Sequence, residues 1–227
     1  MPKDSGIGAS PKRREDVRFL SGTGNYTDDI QVTGQAYVHF LRSDVAHAKI
    51  NGLNLDAASA MPGVVKIFTG ADFEGVGGIP CGWQVTDRHG EPMQEPAHPV
   101  LAQGKVRYVG DQIAAVVAET LEQARDAAEA IALEIEELPA VVNMKEALKE
   151  GAAKVHDDLT SNLCYDWGFV EENKEAVNKA FDDSDHVTTP ELVNNRLVAN
   201  PTEPPVATGE SHPPARGQKP LTPTPLT

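Results

Sequence analysis

KVRYVGDQIAAVVAETLEQARDAAEAIALEIEEL, residues 105–138, decides the fold. Its first half, KVRYVGDQIAAVVAET (105–120), reads as a strand broken at Gly110-Asp111 and then a nearly all-apolar strand, the pattern of a strand buried on both faces. Such a strand belongs at the centre of a sheet. Thr120 with Gln123 three residues on forms a capping box that opens a helix. Leu121, Ala124, Ala128 and Ile131 fall on one face of that helix, and Glu122, Arg125, Asp126 and Glu129 fall on the other. LEIEELPAVV (133–142) then alternates as a strand and meets Pro139, a natural boundary.

Working outward, QAYVHFLR (35–42) and KINGLNL (49–55) alternate apolar and polar side chains and predict two strands. Asp56 is placed to cap a short helix, DAASAM, which Pro62-Gly63 ends before VVKIFT (64–69) resumes as a strand. Together these form a βαβ-like passage. Glycines and prolines punctuate residues 70–104 too often for a long element, which predicts a long surface excursion of the kind that serves a purpose. Downstream, MKEALKE (144–150) predicts a short helix stopped by Gly151, EAVNKAFDDSDHV (175–187) a longer one, and ELVNNRLV (191–198) a strand. Residues 1–17 are polar and read as an extended arm. No repeat is visible, and strands alternating with helices argue for α/β or α+β, with a topological join near 139–143.

The chain's 227 residues suffice for one large domain or two small ones, and a 40% hydrophobic content builds a real core. A net charge of −14 repels nucleic acid and anionic membrane surfaces, so neither is an expected partner. About 18 consecutive apolar residues would be needed to span a bilayer, and no such run occurs, so membrane insertion is not expected. The basic Lys12-Arg13-Arg14 cluster has no apolar stretch after it, unlike an export signal. Cys81 and Cys164 offer neither a CxxC pair nor a disulfide framework, which predicts a reducing, cytoplasmic setting. Eight of the 17 prolines lie between Pro201 and Pro225, so the last stretch reads as disordered or aberrant rather than as a packed domain.

Motifs that could carry chemistry are weak. GTGNYT (22–27) looks like half of a phosphate loop, but it lacks the third glycine and a preceding apolar strand, and Asp28-Asp29 would repel phosphate. A tight turn is the better reading, and GIGAS (6–10) fails for the same reason. The histidines, His39, His47, His89, His98, His156, His186 and His212, include no pair four apart with an intervening Glu. His47, in AHA, reads as a satisfied structural histidine on a strand. Asp157-Asp158 and Asp182-Asp183-Ser184-Asp185 lack calcium-loop spacing and read as solvated turns and helix ends. Cys81 and Cys164 each lie near a tryptophan without a basic neighbour, which predicts packed, inert thiols. Asn25-Tyr26-Thr27 matches a glycosylation sequon at chance frequency. The residues by themselves mark no catalytic, cofactor-binding or metal position.

A resemblance covers nearly all of residues 10–206. RREDVRFLSGTGNYTDDI (13–30), LRSDVAHAKI (41–50), MPGVVKIFTGADF (61–73), PVLAQGKVRYVGDQIAAVVAETLEQARDAAE (99–129) and LPAVVNMKEAL (138–148) resemble the start of the molybdopterin-binding large subunit of the xanthine dehydrogenase and aldehyde oxidase family. GWQVTDRHGEPMQEPAHPVLA (82–102) is most similar to the aerobic carbon monoxide dehydrogenase type. The resemblance implies an α+β fold. An N-terminal arm (1–17) would precede an α/β hammerhead domain over 18–137, then an incomplete first molybdopterin-binding domain over 138–206 and a disordered or frameshifted tail over 207–227.

The resemblance also implies a family chemistry: oxidation or hydroxylation of a substrate at molybdenum with oxygen from water. Electrons would pass through two [2Fe-2S] clusters to FAD, the clusters and flavin lying on partner subunits, and the molybdenum would sit on molybdopterin (cytosine dinucleotide). The pterin loops and base glutamate of the family have no counterpart in these residues, so this chain is expected to bind no cofactor and to be inactive alone. Cys164, in Asn-Leu-Cys-Tyr-Asp, does not match the Ala-Tyr-Arg-Cys loop of carbon monoxide dehydrogenases. NNRLVANPTEPPVATGE (194–210) resembles a family segment reading Asn-Pro-Met-Glu-Pro-Arg, with Thr202 for the Met and Pro205 for the Arg. The composition beyond Gly209 predicts a change of reading frame near 207–211. Two other roles follow from the same resemblance: a non-catalytic module docking iron–sulfur and flavin subunits, or one half of a split enzyme.

Overall fold

The computed structural model describes residues 6–168, 173–195, 197–198 and 207–209. They divide into two compact units, one of residues 35–188 and one drawn from 1–34 and 189–227.

In the larger unit the apolar strand is central. β5 (Gln112–Ala118) pairs antiparallel with β1 (Tyr37–Arg42) on one side and with β3 (Val64–Thr69) on the other. Residues 113–116 of β5 are all buried, so both its faces are covered. One face, through Ala114, Val116 and Ala118, meets Ala124, Ala127 and Ala128 of α3 (Leu121–Glu129) and Ala58 of α2 (Asp56–Ser59). Alanines on both sides bring helix and sheet into close contact. Ile113 points into a second cluster with Ala48, Ala102 and Val106, against which Leu41, Ile50, Leu133 and Ile135 pack.

That second cluster is lined by another antiparallel sheet, in which β2 (Ala48–Asn54) lies between β4 (Lys105–Val106) and β6 (Ala132–Glu137). Leu133 and Ile135 point to the apolar cluster while Glu134, Glu136 and Glu137 are exposed, so the edge strand carries charge that discourages pairing with another chain. The fold is thus α+β with two three-stranded antiparallel sheets. The βαβ-like reading of 49–69 is corrected: β2 and β3 lie in different sheets, and α2 turns the chain from one to the other. Alternation sets which way side chains point but says nothing of which strand a neighbour will be.

Local capping follows the sequence at α3, where Gln123 N donates to Thr120 Oγ1 at 3.2 Å and Thr120 N donates to Gln123 Oε1 at 3.1 Å. It departs at α2. Asp56 lies inside the first turn there, and Asn54 Oδ1 receives the Asp56 N–H at 2.9 Å. The predicted helix over 144–150 is a 3₁₀ turn, Glu146–Leu148, and the one over 175–187 is α4 (Lys174–Asp182).

In the smaller unit the polar arm ends in a short helix, α1 (Asp16–Leu20). GTGNYT is a turn after it. A Cβ on Gly24 would lie 2.6 Å from the Phe19 ring, which stacks on Tyr26 at 5.3 Å, so this glycine makes room for an aromatic contact. Residues 191–195 and 197–198 form no strand, contrary to the sequence reading, and Arg196 lies outside the described residues. So do His212 and most of the proline-rich stretch.

Candidate functional site

A cleft of about 290 Å³ lies in the larger unit, where three loops meet beside the edge strand β4. Its lining includes His98, Pro99, Arg107, Tyr108, Asp111 and His156. The 107–111 turn is fastened to the end of β1: Gly110 N donates to Ser43 O at 2.7 Å, Ser43 N donates to Asp111 O at 2.8 Å, and Arg42 Nη1 donates to Gly110 O at 2.9 Å. Within the turn, Arg107 N donates to Asp111 Oδ2 at 2.9 Å. The second wall, 96–102, is held by Ile79 N donating to His98 O at 2.8 Å and by Ala102 N donating to Gln112 O at 2.7 Å. The His98 ring then stands edge-on to Tyr108 with centroids 6.3 Å apart.

Asn162 organises the third wall. Its Oδ1 receives the Val155 N–H at 3.0 Å, and its Nδ2 donates to Ala153 O at 2.8 Å and to Ala147 O at 3.0 Å. Lys105 ties the same segment to β4 through the Asp157 carboxylate. Burial holds the His156 imidazole below its ordinary pKa, and the Arg107 charge adds to that, against Asp158 and Asp157. Tyr108 is held above the ordinary phenol value, first by burial and then by the charge and hydrogen bond of Asp111. The Lys105 hydrogen bond and charge hold Asp157 low.

Two buried polar atoms have no hydrogen-bond partner among the described residues: Arg107 Nε and His47 Nε2. Ala48 pairs with Val106, so one further step of the same antiparallel register sets His47 opposite Arg107. His47 is only 6% exposed and sits just before β2, and its Nδ1 lies 2.9 Å from Pro139 O. A carbonyl oxygen only accepts, so Nδ1 carries the hydrogen of that bond. The reading of His47 as a satisfied structural histidine is therefore half met, on Nδ1 alone.

The reading of both cysteines as packed is overturned: both are exposed, Cys81 on the 70–104 excursion and Cys164 on the segment beside it. Residues 85–93 fold back on themselves, with Asp87 N donating to Glu91 O at 2.8 Å and Met93 N donating to Val85 O at 3.0 Å. This ribbon is laced to 164–167: Gln94 N donates to Cys164 O at 2.8 Å, Arg88 N donates to Asp166 O at 2.8 Å, and the Arg88 guanidinium meets the Asp166 carboxylate at 2.8 Å. Each Sγ donates to a backbone carbonyl at 3.2 Å, Cys81 to Trp83 and Cys164 to Gln94.

Chemically, the cleft offers one guanidinium with an unused N–H, two imidazoles and an apolar lining. No group of three or more His, Cys, Asp or Glu side chains that could hold a metal occurs among the described residues. The volume lies at the bottom of the range for drug-sized ligands, too small for a pterin dinucleotide, so no step of molybdenum chemistry is assigned to these side chains. Arg107 and His156 escaped the sequence because register and loop packing, not spacing, bring them together.

The two antiparallel sheets with their covering helices define an α+β domain of the hammerhead class. The family described as aldehyde oxidase and xanthine dehydrogenase, a/b hammerhead domain, matches residues 21–139, more than half the chain, and the chain belongs to that family. The large subunit of nicotine 6-hydroxylase from Paenarthrobacter nicotinovorans is 34% identical over 200 residues, which are 87% of this chain and 23% of that protein. Quinoline 2-oxidoreductase from Pseudomonas putida 86 superposes with a TM-score of 0.61 at 42% identity, over 70% of this chain and 20% of that one. A Cu,Mo-CO dehydrogenase superposes with the same TM-score at 28% identity, over 80% of this chain and 23% of that one. The chain thus spans about a quarter or less of the length of these proteins.

Proposed function

We propose that this chain supplies the hammerhead region of the large subunit of a molybdenum-dependent hydroxylase or dehydrogenase. The observation that carries the reading is the 34% identity to a hydroxylase large subunit across 87% of the chain. In this reading residues 18–137 are the hammerhead and 138–206 begin the first molybdopterin-binding domain, which is completed by sequence beyond that found here. The chain by itself holds no cofactor. Molybdopterin belongs to the rest of the large subunit, and [2Fe-2S] clusters and FAD belong to separate partner subunits in a cytoplasmic assembly. The two free, exposed cysteines support the reducing compartment.

Co-expression tests it. The 227-residue chain alone should purify without molybdenum, and molybdenum by elemental analysis should appear in stoichiometric amount when a polypeptide carrying the remaining large-subunit sequence of a close relative is supplied. Co-purification of the two without molybdenum, or no association at all, would defeat the reading. A docking role has one observation of its own, the exposure of Trp83, just before the laced ribbon, and of Trp167, on the segment it is laced to. It requires that the iron–sulfur or flavin subunit co-purify with the chain even when the remaining large-subunit sequence is withheld.

A further inference from the structure

We propose that the cleft beside β4 binds a small organic carboxylate, its head on the Arg107 guanidinium and its apolar body against Pro96, Ala97, Pro99 and Val155. Arg107 Nε is buried and has no acceptor among the described residues. A buried N–H left without an acceptor is costly, and a ligand that draws the guanidinium into the cleft would relieve that cost. A guanidinium presents its N–H groups as a planar fork that matches the two oxygens of a carboxylate, which a single spherical anion does not.

The surroundings select for charge and for shape. Two carboxylates near Arg107 are already engaged. Asp111 accepts the Arg107 backbone N–H and faces the Tyr108 hydroxyl, and Asp157 is paired with Lys105. The Arg107 charge is felt by Asp157 and His156, but its Nε–H has no acceptor among the described residues. His156, held neutral more readily by burial and by Arg107, and His98 stand in the wall as further polar contacts. The alanine, valine and proline side chains supply an apolar lining, and about 290 Å³ has room for a small aromatic carboxylate such as benzoate. Carboxylate capture here does not depend on the molybdenum chemistry proposed above.

The test is an NMR-monitored titration of the full chain with benzoate, with benzamide as the neutral isostere and inorganic phosphate as an anion lacking an apolar body. Saturable shifts of the His98 and His156 ring signals and of the Arg107 Nε–H are expected with benzoate, and at least about tenfold weaker binding for each control. Arg107→Gln should remove the benzoate response, and Arg107→Lys, which keeps the charge but loses the fork, should weaken it. Equal binding of benzoate and benzamide by the unaltered chain would overturn the proposal whether or not the variants fold. So would the absence of saturable shifts, or full binding by a folded Arg107→Gln.

Discussion

A methyl group on Gly70 would sit 2.3 Å from the Ala102 carbonyl oxygen, closer than real Cβ atoms come to backbone. Ala102 is buried, and its N–H donates to Gln112 O at 2.7 Å at the start of the central strand. Neither side of that contact is free to move. Gly70→Ala should therefore destabilise the chain by about 1–3 kcal/mol, the usual cost of overpacking a fitted interior. Thermal denaturation checks it against Gly82→Ala, where the added Cβ meets nothing within 4 Å and the change should stay within about 0.5 kcal/mol. Equal melting temperatures for the two variants would show that the 70–102 contact gives way without cost. Glycine at 70 was visible in the sequence as one of many in a punctuated stretch, and only the fold separates the position that permits close packing from those that merely permit a turn.

Helix α3 is fixed at its N-terminus by the Thr120–Gln123 box. Thr120→Ala removes the acceptor for the Gln123 N–H and should cost about 1 kcal/mol, while Thr120→Ser, which keeps the oxygen, should cost less than half of that. Urea midpoints of the three proteins decide it, and an alanine variant as stable as the serine one would refute the cap. This element was legible because its determinants are local: cap, box and a helical apolar stripe all lie between Thr120 and Ile131. β5 was legible too, since an apolar run flanked by turns allows few other placements. The βαβ-like passage was misread for the complementary reason. Its strands have the right alternation, yet hydrogen-bonded partners far along the chain assign them to separate sheets, β2 to β6 and β3 to β5. The cleft was least legible, because Arg107 and His156 meet only after β4 has paired with β2 and Asn162 has closed its loop.

For the larger unit taken together, two half-buried histidines set the expected response to pH. His39 is held below its ordinary 6.5 first by burial and then by Arg125 and Arg42, with Glu129 opposing, and His156 is held below 6.5 by burial and Arg107. Between the folded pKa and 6.5, then, the unfolded chain binds more protons than the folded one, so stability rises with pH across that window and is fully present above it. The lowered carboxylates act in the same direction at more acidic pH: Asp72 through the Thr69 backbone, Asp87 through the Glu91 backbone and Asp157 through Lys105. Relief of the net charge of −14 on acidification works against both. The His156 contribution is isolated by comparing the chain with His156→Gln, whose side chain at 156 cannot titrate. Urea midpoints at about pH 5.5 and 7.5, either side of the ordinary histidine value, should differ by less in the variant than in the unaltered chain, with the gap closing from the acidic side. Should the variant lose as much stability on acidification as the parent, His156 is not held below its ordinary pKa in the folded chain.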